Sequence, residues 1–109
     1  MTAEPSNPAD LATALRALAN PHRLAILGWL LDPCAHFPPQ RDGDLVEDGV
    51  CVGFITQKVG LTQPTVTTHM RALADAGLVT SKKIKNWVFY KPDRAAIAAV
   101  VGSLGDRLR

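Results

Sequence analysis

The sequence predicts a mainly α domain with one small β-hairpin, and three observations carry that reading. Apolar residues recur at helical spacing near both ends of the chain. Two short helices meet at a tight turn around Gly60. A stretch rich in β-branched and aromatic residues flanks Lys85-Asn86. At 109 residues and 47% hydrophobic content the chain suits a single domain over 1-109, because a chain of that length buries roughly two-thirds of its unfolded surface in one core. Two cysteines are too few for a disulfide-stapled secreted scaffold. Met1 to Asp10 is polar and Pro-rich, and the longest apolar run, Leu24 to Leu31, is too short to span a bilayer. A cytoplasmic protein with no signal peptide and no membrane partner is therefore expected.

The elements follow in order. Asp10 is a suitable N-cap for a first helix over Asp10 to Ala19, with Leu11, Leu15 and Leu18 at helical spacing. Asn20 caps and Pro21 pre-sets the first turn of a second helix, which carries Leu24, Leu27, Leu30 and Leu31 and ends at Asp32-Pro33. Residues 32-51 read as a long acidic loop without clean periodicity; connections of that length are functional devices or tolerated surface insertions. Val52 to Val59 forms a short third helix, closed by Gly60 as a left-handed cap. Residues 60-77 form a turn and a fourth helix, with Thr62 as N-cap, Gln63-Pro64 in its first turn, Val66, Met70, Leu73 and the small Gly77 along one apolar face, and Gly77 as its stop. Residues 78-91 form the hairpin, with Asn86 expected to take the positive φ of its turn. Pro92-Asp93 opens a fifth helix over 93-108, with Ile97, Val100, Val101, Leu104 and Leu108 in a stripe.

Charge is distributed unevenly. The formal net charge is only +2, yet Asp32, Asp42, Asp44, Glu47 and Asp48 face Arg41 alone in residues 32-51, a local −4. Residues 58-91 carry Lys58, Arg71, Lys82, Lys83, Lys85 and Lys91 against Asp75, a local +5. Such asymmetry points toward a polyanionic partner.

Helix, tight turn, helix and basic hairpin is the arrangement of a winged helix-turn-helix, here five helices plus wing. With Val66 at the centre of the buried face, turns of about 100° per residue place Pro64, Thr68, Arg71 and Asp75 opposite it and Thr65 and Thr67 on the flanks. That outward face is short and polar, as reading base edges in a major groove requires. Gln63 offers an amide, Thr65, Thr67 and Thr68 offer hydroxyls and methyls, and the helix N-terminus that opens at Thr62, with Pro64 in its first turn, offers free backbone N–H groups to a phosphate. His69 and Arg71 flank this surface, while Lys82, Lys83 and Lys85 on the wing track neighbouring phosphates. Double-stranded DNA is the expected partner. A winged protein-interaction module is the competing reading, but Gln63 to Thr68 lacks the apolar anchors of a protein interface. No nucleophile-and-base pair, phosphate-binding glycine loop or nucleotide fingerprint favours an enzyme.

The runs Asn20-Pro21-His22-Arg23-Leu24-Ala25-Ile26-Leu27 and Val50-Cys51-Val52-Gly53 resemble those of a known family. So do Gly60-Leu61-Thr62-Gln63-Pro64-Thr65-Val66-Thr67-Thr68-His69-Met70 and Leu73-Ala74-Asp75-Ala76-Gly77-Leu78-Val79. All four are similar to the ArsR/SmtB family of bacterial winged-helix repressors, the run from Gly60 to Val79 most specifically. The resemblance covers nearly the whole chain except residues 32-49. It implies a homodimer that represses from a palindromic operator and releases it when an effector binds. It also implies a dimer interface of the first and last helices, from Leu11, Leu15 and Leu18 with Ile97, Val100, Val101 and Leu104, stripes that read as surplus to a small monomer core.

The chain departs from the family at its sensing sites. Many members carry a Cys-Val-Cys box for soft metals, whereas this chain reads Cys51-Val52-Gly53. Others bind zinc on the last helix, but residues 93-109 contain no histidine. Cys34, His36 and Cys51 are a partial ligand set for Zn²⁺ or a softer thiophilic ion, completed by Asp32 or a dimer partner. Cys34 and Cys51 could instead form a reversible disulfide, or Cys51 could simply be a small buried hydrophobe beside an incidental Cys34.

Overall fold

The structure is a computed structural model and describes residues 8–109; the reading of the N-terminal segment as free of targeting signals concerns residues that lie largely outside that range. The described residues form six helices and a three-stranded antiparallel sheet: α1 (Pro8–Leu18), α2 (Pro21–Leu31), α3 (Pro33–His36), β1 (Val50–Cys51), α4 (Val52–Val59), α5 (Gln63–Asp75), β2 (Val79–Ile84), β3 (Trp87–Pro92) and α6 (Arg94–Arg107). Among the described residues, no helix is long and apolar enough to cross a membrane.

Local chemistry explains most boundaries. The Asn20 side chain accepts hydrogen bonds from the backbone N–H groups of His22 (2.9 Å) and Arg23 (3.1 Å), with Pro21 at the first helical position. Arg23 Nε donates to the Ala17 carbonyl and Arg94 Nη2 to the Leu31 carbonyl, each at 2.7 Å, so guanidinium groups complete the C-termini of α1 and α2. Asp93 caps α6 by accepting from Ala96 N–H at 3.0 Å. Asp10 is not the cap of α1: the helix already runs from Pro8, and Asp10 lies in its first turn.

The α5 C-terminus corrects another expectation. Gly77 is not part of the apolar face; the helix ends at Asp75 and Gly77 sits beyond it at φ 78°. Gly77 N–H donates to Ala74 (2.9 Å) and Leu78 N–H to Leu73 (3.0 Å), the two bonds of a Schellman motif, and Leu73 and Leu78 are both buried beside it. Glycine stands where the backbone must turn left-handed to begin the wing.

The core is built from Ile26 and Leu30 of α2, Ile55 of α4, Val66, Met70 and Leu73 of α5, and Val50, Leu78 and Phe89 around the sheet. Leu11 and Val100 are also buried in this core. The stripes of the first and last helices are thus not wholly surplus to the monomer. α6 turns Val100 inward and leaves Val101 64% exposed, and Leu108, just past the helix end, is 77% exposed.

The sheet is larger than a hairpin. β2 pairs with β3 from Val79↔Pro92 to Ile84↔Trp87, and β1 joins the other edge of β3 through Val50↔Tyr90 and Cys51↔Phe89. In the two-residue connection the positive φ falls on Lys85 (56°), not on Asn86. The segment read as a loop contains the four-residue helix α3, and its end supplies β1. Neither was visible as periodicity because both are too short to complete a repeat.

Candidate nucleic-acid interface

α4, the turn through Gly60 (φ 76°) and α5 form the helix-turn-helix, and the packing of α5 sorts its side chains. Val66, Met70 and Leu73 are fully buried, while Thr62, Gln63, Pro64, Thr65, Thr68 and Arg71 are exposed and Thr67 and His69 half-buried. The Thr62 hydroxyl makes no cap to the helix; it donates instead to the Thr65 hydroxyl at 2.9 Å. The first-turn N–H groups therefore have no side-chain partner in Thr62 and stand open to an anion. Thr68 donates to the Pro64 carbonyl at 3.0 Å, so it presents a methyl and an acceptor outward, whereas the Thr65 donor stays free.

His69 is tied to α2. Arg23 Nη1 approaches His69 Nδ1 at 3.1 Å, and since a guanidinium only donates, Nδ1 is the acceptor and the ring is neutral. Burial, then the Arg23 charge, then His22, whose ring centroid is 5.8 Å away, hold the His69 pKa below its ordinary value. His22 is itself half-buried.

The largest departure from the sequence reading concerns the lysines. The acidic segment folds against the wing: Lys82 Nζ pairs with Asp48 at 2.5 Å, Lys85 Nζ with Asp42 at 3.1 Å, and Lys91 Nζ donates to the Glu47 carbonyl at 3.0 Å. The Lys82 hydrogen bond, followed by the Asp44 backbone, lowers the Asp48 pKa from its ordinary value. Lys58 lies over the rings of Trp29 (5.0 Å to the centroid) and Phe37 (5.9 Å), away from the wing. Of the cations in residues 58–91, only Arg71 and Lys83 make no ion pair, ring contact or hydrogen bond among the described residues.

A residue not singled out from the sequence anchors this contact. Gln40 is its hub: Nε2 donates to the Gly49 carbonyl (3.0 Å) and the Gly43 carbonyl (3.3 Å), and Oε1 accepts from Cys51 N–H (2.7 Å). Asp44 and Asp48 fold the turn between them. Asp44 accepts from Val46 and Glu47 N–H at 2.9 Å, and Asp48 accepts from Asp44 N–H at 2.7 Å. The sequence signal is the presence of a −4 segment and a +5 segment in one small chain.

Cys34, His36 and Cys51 are not brought together as a ligand set: among the described residues no three His, Cys, Asp or Glu side chains form a group able to hold a metal. Both cysteines are free thiols, Cys34 exposed and Cys51 half-buried, and they line different cavities. A Cβ at Gly53 would lie 3.8 Å from Cys51 Sγ, so the backbone has room for the second thiol of the family box and the chain simply lacks it.

A packed helix-turn-helix presenting a short polar face, beside a lysine-bearing antiparallel wing, defines a winged helix-turn-helix DNA-binding domain. The family described as "Bacterial regulatory protein, arsR family" matches residues 45–81. An uncharacterized HTH-type transcriptional regulator, YbzH of Bacillus subtilis, is 40% identical over 94 residues, covering 86% of this chain and 90% of that protein. The biofilm growth-associated repressor of Xylella fastidiosa is 27% identical over 95 residues, 87% of this chain and 70% of its own. Among solved structures, HlyU of Vibrio cholerae superposes with a TM-score of 0.64 at 29% identity, covering 94% of both chains. The chain belongs to the ArsR family of bacterial regulators. It is a DNA-binding transcriptional regulator and not an enzyme.

Proposed function

We propose that the protein binds a two-fold symmetric operator as a cytoplasmic homodimer and represses transcription until an effector releases it. The observation that carries this reading is the exposed surface from Thr62 to Thr68, short and polar, with the unpaired Lys83 beside it on the wing. Gln63, Thr65, Thr67 and Thr68 meet base edges; Thr62 and Pro64 at the helix start, with Arg71, His69 and Lys83, face the phosphates, and Lys82 and Lys85 join them when their carboxylates let go. The X. fastidiosa relative is named a repressor, which supports that direction of control. The effector acts on the insertion, through a thiophilic ion or oxidation at the free thiols Cys34 and Cys51 taken separately and not at a shared ligand set. Counting free thiols while Zn²⁺ or oxidant is added, with operator affinity followed in parallel, tests that route.

Anisotropy titrations with promoter fragments across a salt series test the interface. Lys83→Ala should lower the salt slope by about 1 with sequence preference unchanged, whereas Gln63→Ala should cost about 1 to 3 kcal/mol and relax preference at one position. Identical behaviour of the two variants would remove the division into phosphate and base contacts.

The ion pairs give a second expected result. Asp48 and Asp42 occupy Lys82 and Lys85, so DNA must displace carboxylates before it gains those contacts. The pairs are exposed and weak. Asp42→Asn with Asp48→Asn should tighten DNA binding about 3- to 10-fold, and should steepen the salt slope by about 0.9 for each lysine freed. Weaker binding by the double variant would mean that the carboxylates position the wing and do not compete with DNA.

A further inference from the structure

The acidic segment, α4 and the wing line a half-open cavity of about 410 Å³, within the size range of small-molecule sites. Its apolar walls are Phe54 of α4 with Trp87 and Phe89 of β3, and Trp87 is 49% exposed although it is the largest side chain of the wing. The indole half-open to water and the half-buried Phe54 ring offer surface to stack on, while the buried Phe89 closes the floor.

The polar groups around it are of two kinds. Gln40 spends both ends of its amide on Gly43, Gly49 and Cys51, and Asp42 spends its carboxylate on Lys85. Arg41 and Gln57 also line the cavity and make no hydrogen bond or ion pair among the described residues. One uncompensated guanidinium, one free amide and aromatic walls fit a flat ring system carrying a single negative charge. A guanidinium fork matches a carboxylate with two parallel hydrogen bonds.

We propose that this cavity is a binding site for a planar aromatic carboxylate, stacked against Trp87 and Phe54 and paired with Arg41. The occupant lies beside Asp42, hence beside the ion pair that holds Lys85 to the insertion. Binding is read without DNA, so the site stands or falls separately from the operator-binding reading.

The test uses the full chain, reduced, with 2-naphthoate and its neutral counterpart 2-naphthamide as probes. Calorimetric titration should show saturable naphthoate binding with a dissociation constant at or below about 1 mM, and naphthamide roughly fivefold weaker or more. Arg41→Gln, an exposed position, should abolish the preference for the anion. Cys51 lines this cavity and Cys34 does not. Naphthoate should therefore slow alkylation of Cys51 by iodoacetamide, read by mass spectrometry, and leave Cys34 unaffected. Absence of saturable binding, equal affinity for the two probes, a preference that survives Arg41→Gln, or equal protection of both thiols would each overturn the proposal.

Discussion

Alanine at position 49 should destabilise the protein by about 3 kcal/mol in urea unfolding, a large share of the stability of a domain this size. Gly49 sits at φ 99°, a conformation costly for any L side chain. A Cβ there would fall 2.3 Å from the Tyr90 carbonyl oxygen and 2.7 Å from its carbon. Those atoms are backbone of the central strand and cannot swing aside. The shift would break the Val50↔Tyr90 pairing next to Gly49, one of the contacts that hold the insertion to the wing, and the Gln40 bond to the Gly49 carbonyl that folds the insertion itself. Gly60→Ala is the matched control, since Gly60 has φ 76° but open space around its Cβ position. It should cost only about 1 kcal/mol, the conformational part alone. Equal losses in the two variants would refute the steric account.

Val101→Glu should convert the protein to a folded monomer and lower operator affinity by about 100-fold or more. Val101 is 64% exposed on α6, so the monomer tolerates a carboxylate there. In the proposed dimer the face formed by Leu15, Leu18, Ile97, Val101 and Leu104 is covered. Symmetry would bury the new charge twice, at about 3 kcal/mol or more each without a partner. At 1.4 kcal/mol per tenfold, that exceeds two decades in dimer dissociation. Sedimentation equilibrium reads the mass, circular dichroism the fold and anisotropy the operator. A variant that remains dimeric would remove α6 from the interface.

The helix-turn-helix was legible in the sequence because its determinants are local. Asn20-Pro21 marks the start of α2, Thr62-Gln63-Pro64 the start of α5, and Gly60 and Gly77 the left-handed turns after α4 and α5. The burial of Val66, Met70 and Leu73 follows the 3.6-residue period. The insertion was not legible. A four-residue helix and a two-residue strand carry no period, and the partners of Val50 and Cys51 are Tyr90 and Phe89, far along the chain. Periodicity likewise marks Leu11, Val100 and Val101 as apolar without showing what covers each: the monomer core buries the first two and leaves the third outside.

The family, the reading helix and the opposite charges of two segments are properties of neighbouring residues and can be read along the chain. Where those charges go depends on how the strands pack. Bound through Gln40, Gly49 and the β1–β3 pairing, the acidic segment rests on the wing and occupies Lys82 and Lys85, leaving Lys83 without an ion pair. The reason is that an ion pair is set by distance through space, and residues some forty positions apart come within 3 Å or so of each other only once the strands between them have paired.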